Sequence, residues 1–282
     1  MAISFLHAEV LQYKGVDFSQ TSYSNAVEGL FSKWERSRAF PQKKTGRVAL
    51  KIFTARGIGL ATSKKLIRGV VASLHKRGFF DIVLVDLEER TLRQCGFCGY
   101  NGQPYDLHVR PLEKHWKPEW FYDSHLPSRD GNRKSSLPTC LMFDLDFWID
   151  LPVIFVKENL GISGSLMNGS LWAISNAERF LDNEINGAVA VAEINAIPEL
   201  LEKYLFSVVS LEYFQIVDGG AFNAQYTHAE NTLLLADNRV LLDFFLLQKI
   251  NAARAQHRFP PLPTDNLQLK YAERLRPLQN GL

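Results

Sequence analysis

Two short apolar segments enclose an amphipathic one in the first half of the chain. Residues 48–53 and 81–86 are almost continuously apolar, which is typical of parallel strands covered on both faces. Residues 63–76 place aliphatic side chains three or four positions apart, opposite lysines and arginines, which predicts an amphipathic helix. We therefore predict two adjacent parallel strands joined by a helix. The aliphatic positions of that helix are Leu66, Ile67, Val70, Val71 and Leu74.

A second pattern of strands and a helix occupies the last third of the chain. Residues 216–220, Ile-Val-Asp-Gly-Gly, predict the end of a buried strand followed by an acidic glycine turn. Residues 232–236 predict a short strand, and residues 239–255 predict an apolar helix. Because open α/β sheets bind ligands where their strands end, acids at these positions mark a predicted site. They are Asp218, Asp237 and Asp243.

The segments between these two patterns are less regular. Residues 147–155 predict a strand interrupted by a proline, and residues 166–181 and 194–204 predict helices. Residues 1–46 and the tail 257–282 show no clear pattern, apart from a weak helical one before the end. The alternation of strands and helices predicts an α/β fold with a mostly parallel sheet and helices on both faces, a Rossmann-like layering. We predict a single domain, because no stretch resembles a linker.

Composition and charge narrow the class of partner. With 46% apolar and 22% charged residues, the chain has the composition of a folded globular protein. Its formal net charge of +2 is too small to favour nucleic acid as a partner. No stretch approaches the roughly 20 apolar residues of a membrane helix, and the opening residues lack the features of a signal peptide. The expectation is a cytoplasmic protein that binds neither nucleic acid nor membrane, of unknown oligomeric state.

Several short motifs are similar to those of a known family. They are Val48-Ala-Leu-Lys51, Ile149-Asp-Leu-Pro152, Asn168, the Val-Asp-Gly turn at Asp218 and the segment with Asp237 that leads into a helix. Over about residues 48–254 the chain thereby resembles the domain of unknown function 362 family. The resemblance implies an α/β fold and one shared ligand site. It implies no particular reaction. The site residues would be Lys51, Asn168, Asp218 and Asp237.

The chain also departs from that family. Met167 stands where the family has a lysine, and the lysine–x–histidine that follows the family's proline-ended strand is absent. The cluster of four cysteines found in some members is missing as well. An iron–sulfur cluster is therefore not expected, and the resemblance leaves any other cofactor unknown.

Lysines beside glycine-bearing loops suggest an anion site. Lys51 and Lys157, together with backbone amides at a helix start, could hold a phosphate or a carboxylate. A dinucleotide site is the alternative, because the loop 54–61 carries two glycines and Asp86 ends the next strand as a ribose-binding acid would. Thr62, however, stands where the third glycine of that fingerprint belongs.

The acids and the cysteines each allow a functional and a structural interpretation. Asp218, Asp237 and Asp243 could bind a divalent cation, since Mg²⁺ and Ca²⁺ prefer oxygen ligands. They could instead be structural, Asp237 as a helix cap and Asp218 as an acid satisfied by its own glycine turn. Cys95 and Cys98 are weak candidates for a metal or redox pair, and two structural cysteines are the simpler hypothesis.

Three hypotheses of function follow. The first is an α/β enzyme of unassigned chemistry that binds a small anionic ligand or a divalent cation at the strand ends. The second is a non-catalytic binding or scaffold protein that uses the aromatic segment 116–122 as a partner surface. The third is a nucleotide-binding oxidoreductase of the Rossmann type. The sequence motifs of serine hydrolases, P-loop NTPases and zincins are absent from the chain.

Overall fold

The computed structural model of the protein describes residues 9–42, 46–97 and 106–275. Their strands are β1 (Leu11–Lys14), β2 (Val48–Lys51), β3 (Ile82–Asp86), β4 (His108–Pro111), β5 (Phe121–Asp123), β6 (Lys134–Ser136), β7 (Phe147–Asp150), β8 (Phe155–Lys157), β9 (Gly161–Ser163), β10 (Tyr204–Ser210), β11 (Phe214–Gln215), β12 (Thr227–His228) and β13 (Thr232–Ala236). Their α-helices are α1 (Gln20–Trp34), α2 (Lys64–Lys76), α3 (Glu89–Gln94), α4 (Thr139–Phe143), α5 (Ser165–Asn168), α6 (Glu178–Leu181), α7 (Glu184–Asn195), α8 (Pro198–Leu201), α9 (Arg239–Gln256) and α10 (Leu267–Leu275).

The main sheet has seven strands in the order β1-β13-β10-β7-β2-β3-β4. β2, β3, β4, β7 and β10 are parallel, whereas β13 runs antiparallel to both of its neighbours. Val48 pairs with Ile82 and Lys51 with Val85, and α2 joins these two strands along the chain. The predicted α/β class and the predicted parallel pair with its helix are both confirmed. Smaller sheets have the orders β12-β11-β8-β9 and β5-β6.

Helices cover both faces of the main sheet. On one face, α1 and α2 bury their apolar stripes against alternate strand residues such as Leu50 and Leu84. On the other face, α5, α7, α9 and α10 pack over residues such as Ala49 and Val83. Because a strand directs successive side chains to opposite faces, strands covered on both sides must be apolar throughout. The continuous apolar runs of the sequence therefore follow from this layering.

The N-terminal segment that showed no clear pattern contributes to the main sheet and its covering helices. β1 pairs with β13 at one edge of the sheet, and α1 packs closely against α2. Ser19 caps α1 by accepting a hydrogen bond from the amide of Ser22 at 3.1 Å. The description of residues 1–46 as irregular is therefore wrong for the part that the structure describes. In the tail, the weak helical pattern corresponds to α10.

The prediction of one continuous helix over residues 166–181 is wrong. α5 ends at Asn168, a single 3-10 turn covers Leu171–Ala173, and α6 begins only at Glu178. Ser170 has φ −124° and ψ −92°, and Asn176 has a positive φ of 53°. Neither conformation continues a right-handed helix, so the segment divides into short turns.

The boundaries predicted between residues 194 and 217 also differ from the structure. The helix there breaks before Pro198, as that residue type predicts, but Tyr204 already belongs to β10. β10 ends at Ser210, so the segment before the glycine turn is only the two-residue strand β11 of the smaller sheet. Within the described part of the chain, no helix combines the length and the apolar character needed to cross a membrane.

Candidate functional site

The point where the chain order of the main sheet reverses lies between β2 and β7. From β2 the chain proceeds through β3 to β4 on one side, and β7 lies on the other side. Lys51 and Asp150, the last residues of these two strands, are register partners. A crevice at such a position is the usual ligand site of an open α/β sheet. Here polar side chains of the protein itself fill this position.

Lys51 has no exposed surface and uses its whole ammonium group inside the protein. Its Nζ donates to Asp86 Oδ1 at 2.7 Å, to the carbonyl oxygen of Ile52 at 2.7 Å and to Asn168 Oδ1 at 3.2 Å. Thr54 donates to the other oxygen of Asp86 at 2.6 Å. The structure thus brings Lys51 and Asn168 together, as the sequence predicted. Because an ammonium group has three hydrogens, none of them remains for a ligand.

The network continues from Asn168 to the buried carboxylate of Asp150. Asn168 Nδ2 donates to Asp150 Oδ1 at 2.6 Å, and the hydroxyls of Ser165 and Ser207 lie 2.7 Å and 3.2 Å from Oδ2. Burial raises the pKa of Asp150, while the field of Arg239 and the hydrogen bonds oppose that rise. We call the residues of this connected set the Lys51 network. They are Lys51, Thr54, Asp86, Asp150, Ser165, Asn168 and Ser207.

Asp243 is a helix cap, although not of its own helix. Its two carboxylate oxygens accept the amides of Ser165 and Leu166, the first residues of α5, at 2.8 Å and 2.9 Å. A side chain at Gly164 would collide with this carboxylate, since its Cβ would lie 2.4 Å from Oδ1. Burial raises the pKa of Asp243 to about 7, although both amides act in the opposite direction. These contacts support the structural interpretation of Asp243.

Asp218 lies in a turn that satisfies its carboxylate. Oδ2 accepts the amide of Glu158 at 2.8 Å and Lys157 Nζ at 3.2 Å, and Oδ1 accepts the amide of Gly220 at 3.3 Å. Arg56 lies 3.6 Å away. Burial opposes ionisation, but the two amides and Lys157 outweigh it, so the pKa of Asp218 is below its usual value.

The structure does not bring Asp218 and Lys51 together. Asp218 lines an open cleft of about 530 Å³ with Arg56 and Lys157, and the fully buried Lys51 is not part of that cleft. The prediction that both side chains face one cavity is therefore wrong. The two side chains lie apart because Asp218 follows β11, a strand of the smaller sheet, whereas Lys51 ends a strand of the main sheet.

Asp237 follows β13, which the strands β10 and β7 separate from β2 and Lys51. The last residue of β13, Ala236, pairs with Ser207 in the middle of β10. Its Oδ2 accepts hydrogen bonds from Arg38 Nε at 3.1 Å and from Trp34 Nε1 at 3.3 Å. The neighbouring Asn238, and not Asp237, caps α9 by accepting the amide of Leu241 at 3.0 Å. The hypothesis that Asp237 caps this helix is therefore wrong.

A cavity of about 440 Å³ opens beside Asp237. We call it the Arg239 cavity, after its most unusual residue. Its walls are mostly aliphatic, and its polar side chains come from the end of α1, from α7 and from the start of α9. The residues that line it are Trp34, Arg38, Ala39, Leu166, Ala192, Asn195, Ala196, Leu201, Tyr204, Leu205, Asp237, Asn238, Arg239, Val240, Ala272 and Leu275.

Arg239 is a buried arginine with incomplete hydrogen bonding. It is only 7% exposed, and its guanidinium carbon lies 3.9 Å from the ring centre of Tyr204 and 4.4 Å from that of Trp148. Nη1 donates to Asn195, but Nε and Nη2 are buried without a hydrogen-bond acceptor. The side-chain nitrogen of Asn238, also 7% exposed, lacks an acceptor too. Such groups are rare in folded proteins and call for an explanation.

No pattern in the sequence distinguishes Arg239 from other basic residues. It is one basic residue at the start of a helix, and such residues are common at protein surfaces. Its burial depends on Gly169, which is distant in sequence. A Cβ at that glycine would lie 2.6 Å from Nη1, so the missing side chain makes room for the guanidinium. This tertiary feature leaves no local signal in the sequence.

The other residues weighed from the sequence have structural roles or lie outside the described residues. Cys95 is buried, its Sγ lies 3.8 Å from the carbonyl oxygen of Thr54, and burial raises the pKa of its thiol to about 11. Cys98 lies outside the described residues. Among the described residues, no three or more His, Cys, Asp or Glu side chains form a group that could hold a metal ion. Thr62 accepts the amide of Phe53 at 2.8 Å and donates to the carbonyl of Leu151 at 2.7 Å.

The aromatic segment is partly buried. Trp116, Trp120, Phe121 and Tyr122 are each intermediate in exposure, and the ring of Trp120 packs on Phe143 with centres 4.8 Å apart. These residues therefore do not form the exposed aromatic patch that a scaffold function would use.

Comparison with known proteins identifies no family for the chain. No known protein family matches the chain. No curated protein matches it either. A protein from Thermotoga maritima with a solved crystal structure is similar over 88% of this chain, at 13% sequence identity and a TM-score of 0.44. The chain spans 61% of the length of that protein.

Proposed function

We propose that the protein binds a small organic anion in the Arg239 cavity. The observation that carries the proposal is the pair of buried guanidinium nitrogens, Nε and Nη2, that have no acceptor. Leaving a buried charged donor without a partner is costly, whereas a charge-assisted hydrogen bond to an anion is strong. Arg239 lines the cavity, and a small rotation of its side chain would bring these nitrogens to an anion bound there.

The surroundings of Arg239 also favour an anion. A second arginine, Arg38, lines the same cavity. α9 begins there and is 18 residues long, so the positive end of its dipole lies at the cavity. The volume of about 440 Å³ is within the usual range for small-molecule sites.

The two other sites considered from the sequence lack such groups. In the Lys51 network no side-chain nitrogen or oxygen is buried without a partner. At Asp218 the carboxylate is paired with Lys157 and with two backbone amides. The acids proposed for a divalent cation have separate partners, Asp237 with Arg38 and Asp243 with the start of α5. These contacts favour the anion over the cation.

Calorimetric titration of two matched variants tests the proposal. The probes are sodium hexanoate, sodium benzoate and inorganic phosphate. At least one should bind the wild-type protein saturably, and Arg239→Gln should weaken that binding by tenfold or more, because it removes a charged hydrogen-bond partner. Arg254→Gln is the control. Arg254 is an equally buried arginine of the same helix, but it donates to the carbonyl oxygens of Pro260 and Ile216.

The control variant should lose stability but keep its affinity for the anion. Arg254→Gln should lower the free energy of unfolding, because two carbonyls lose their donor, and it should leave the affinity for the anion unchanged. Failure of all three probes to bind, or equal affinity of the wild-type protein and Arg239→Gln, would refute the proposal.

A further inference from the structure

The charge of the Arg239 cavity limits the charge of its ligand. Arg38 and Arg239 are cationic and Asp237 is anionic, so the lining side chains carry one net positive charge. Arg38 and Asp237 are already paired, since Arg38 Nε lies 3.1 Å from Asp237 Oδ2. A singly charged anion balances these lining side chains, and the buried carboxyl of Asp150, on which the field of Arg239 also acts, adds to the cost of a second negative charge. A doubly charged one would add repulsion from Asp237.

The two unpaired donors of Arg239 match a planar acceptor. Nε and Nη2 of a guanidinium group form two parallel N–H bonds, a geometry that fits the two oxygens of a carboxylate. The rings of Tyr204 and Trp148 fix the plane of this guanidinium. Asn238 Nδ2 is a third donor without an acceptor. Phosphoryl sites usually offer more donors, often from several backbone amides, and Asn238 already caps the amide of Leu241 in the first turn of α9.

The remainder of the cavity favours an apolar body. Beyond these donors, most of the wall is aliphatic. Burial of apolar ligand surface against it is favourable, whereas sugar or peptide groups would lose hydrogen bonds to water without replacement. The aliphatic lining residues are Ala39, Leu166, Ala192, Ala196, Leu201, Leu205, Val240, Ala272 and Leu275.

We infer that the ligand is a monocarboxylate with an apolar body, and that Asp237 makes the cavity selective against doubly charged anions. This inference rests on the proposed function and adds the class of ligand and a specificity-determining residue. Arg239 holds the carboxylate, the aliphatic wall holds the body, and Asp237 acts through its charge without contacting the ligand.

A series of probes with one common body tests the inference by calorimetry at pH 7.5. Hexanoate, hexyl phosphate and hexylamine share the six-carbon chain, and acetate retains the carboxylate alone. Hexanoate should bind at least tenfold more tightly than acetate and than hexyl phosphate, which is largely a dianion at this pH. Hexylamine should not bind.

Variants of Asp237 separate its charge from its packing. Asp237→Asn should reduce the preference for hexanoate over hexyl phosphate by fivefold or more, whereas Asp237→Glu should retain it. A melting temperature within a few degrees of the wild type confirms that each variant is folded. If Asp237→Asn does not fold, Asp237→Ser, which also removes the charge, takes its place, and an unchanged preference in that variant would refute the role of Asp237.

The outcomes distinguish this inference from the proposed function. If hexyl phosphate binds more tightly than hexanoate and Arg239→Gln weakens both, the ligand class is wrong but the anion site remains. An unchanged preference in a folded Asp237→Asn variant would refute the role of Asp237. If no probe binds, or if Arg239→Gln has no effect on any of them, the proposed function itself fails.

Discussion

The Lys51 network and the Arg239 cavity each contain a buried cationic side chain but differ in how far its hydrogen bonds are satisfied. In the network, the ammonium group of Lys51 has three acceptors and the carboxylate of Asp150 has three donors. In the cavity, Arg239 has an acceptor for Nη1 but none for Nε or Nη2. Both arrangements are buried, so the difference is not one of exposure to water.

This difference separates a structural polar cluster from a binding site. A fully paired buried network holds strands and helices in one arrangement and has nothing to offer a ligand. A buried donor without an acceptor, beside a cavity, gains a partner only when a ligand arrives. The position at the carboxyl ends of parallel strands, where α/β proteins usually bind ligands, is therefore less informative here than the hydrogen bonds.

The largest expected effect comes from breaking the Lys51 network. Lys51→Met should lower the free energy of unfolding by about 3–5 kcal/mol, because it leaves the carboxylate of Asp86 buried and without its counter-charge. Urea unfolding followed by circular dichroism measures this loss. The matched control is Arg47→Met, which removes an exposed partner of Asp81 and should cost less than about 1 kcal/mol. Equal losses in the two variants would contradict the assignment of the network as structural.

The acid that caps α5 should give stability a dependence on pH. The pKa of Asp243 is about 7 in the folded protein, above its ordinary value of 3.8, because burial disfavours the charged form. The folded state therefore binds the proton more tightly. The contribution of Asp243 is fully present below pH 3.8 and is lost as the pH rises through 7, by at most about 1.4 kcal/mol per pH unit.

Asp243→Asn isolates this contribution. The difference in unfolding free energy between the wild type and the variant should shrink as the pH rises from 4 to 7. Urea unfolding at several pH values checks the slope, and a difference that stays constant over this range would show that Asp243 does not titrate there.

The smallest expected effect is at Asp218. Asp218→Asn should lower the free energy of unfolding by about 1 kcal/mol at pH 7, the scale of a lost local hydrogen bond, without changing anion affinity. Because the pKa of Asp218 is lowered, its stabilising contribution is present above pH 3.8 and is lost at lower pH. Thermal unfolding at pH 7 and pH 3 measures the loss of stability and its pH dependence, and calorimetric titration measures the anion affinity. A clear loss of anion binding in this variant would move the site to the Asp218 cleft.

Much of the fold could be predicted from the sequence because its signals are local. The apolar runs of β2 and β3 and the stripe of α2 are periodic patterns that burial on two faces requires. The helix predicted over residues 166–181 failed because it depended on apolar content alone, while the backbone at Ser170 and Asn176 leaves the helical region. Helix α1 was missed although its buried residues recur three or four positions apart, at Tyr23, Ala26, Val27, Leu30, Phe31 and Trp34, which is the pattern of an amphipathic helix.

The candidate site was only partly predictable. Lys51 and Asn168 meet as predicted, because both lie near the ends of neighbouring elements. Asp218 does not join them, since register and sheet membership depend on tertiary contacts that no short motif encodes. Arg239 was missed because its burial requires Gly169 and the rings of Trp148 and Tyr204, which lie far away in sequence. Whether a donor is satisfied can be judged only once the fold is known.

A crystal structure of the protein grown with hexanoate tests the central claim most directly, because it shows where on the protein the anion binds. We expect the carboxylate to lie about 2.7–3.0 Å from Nε and Nη2 of Arg239, with the carbon chain against Leu201 and Val240. A carboxylate found instead between Arg56 and Lys157, with the Arg239 cavity unoccupied, would contradict the account.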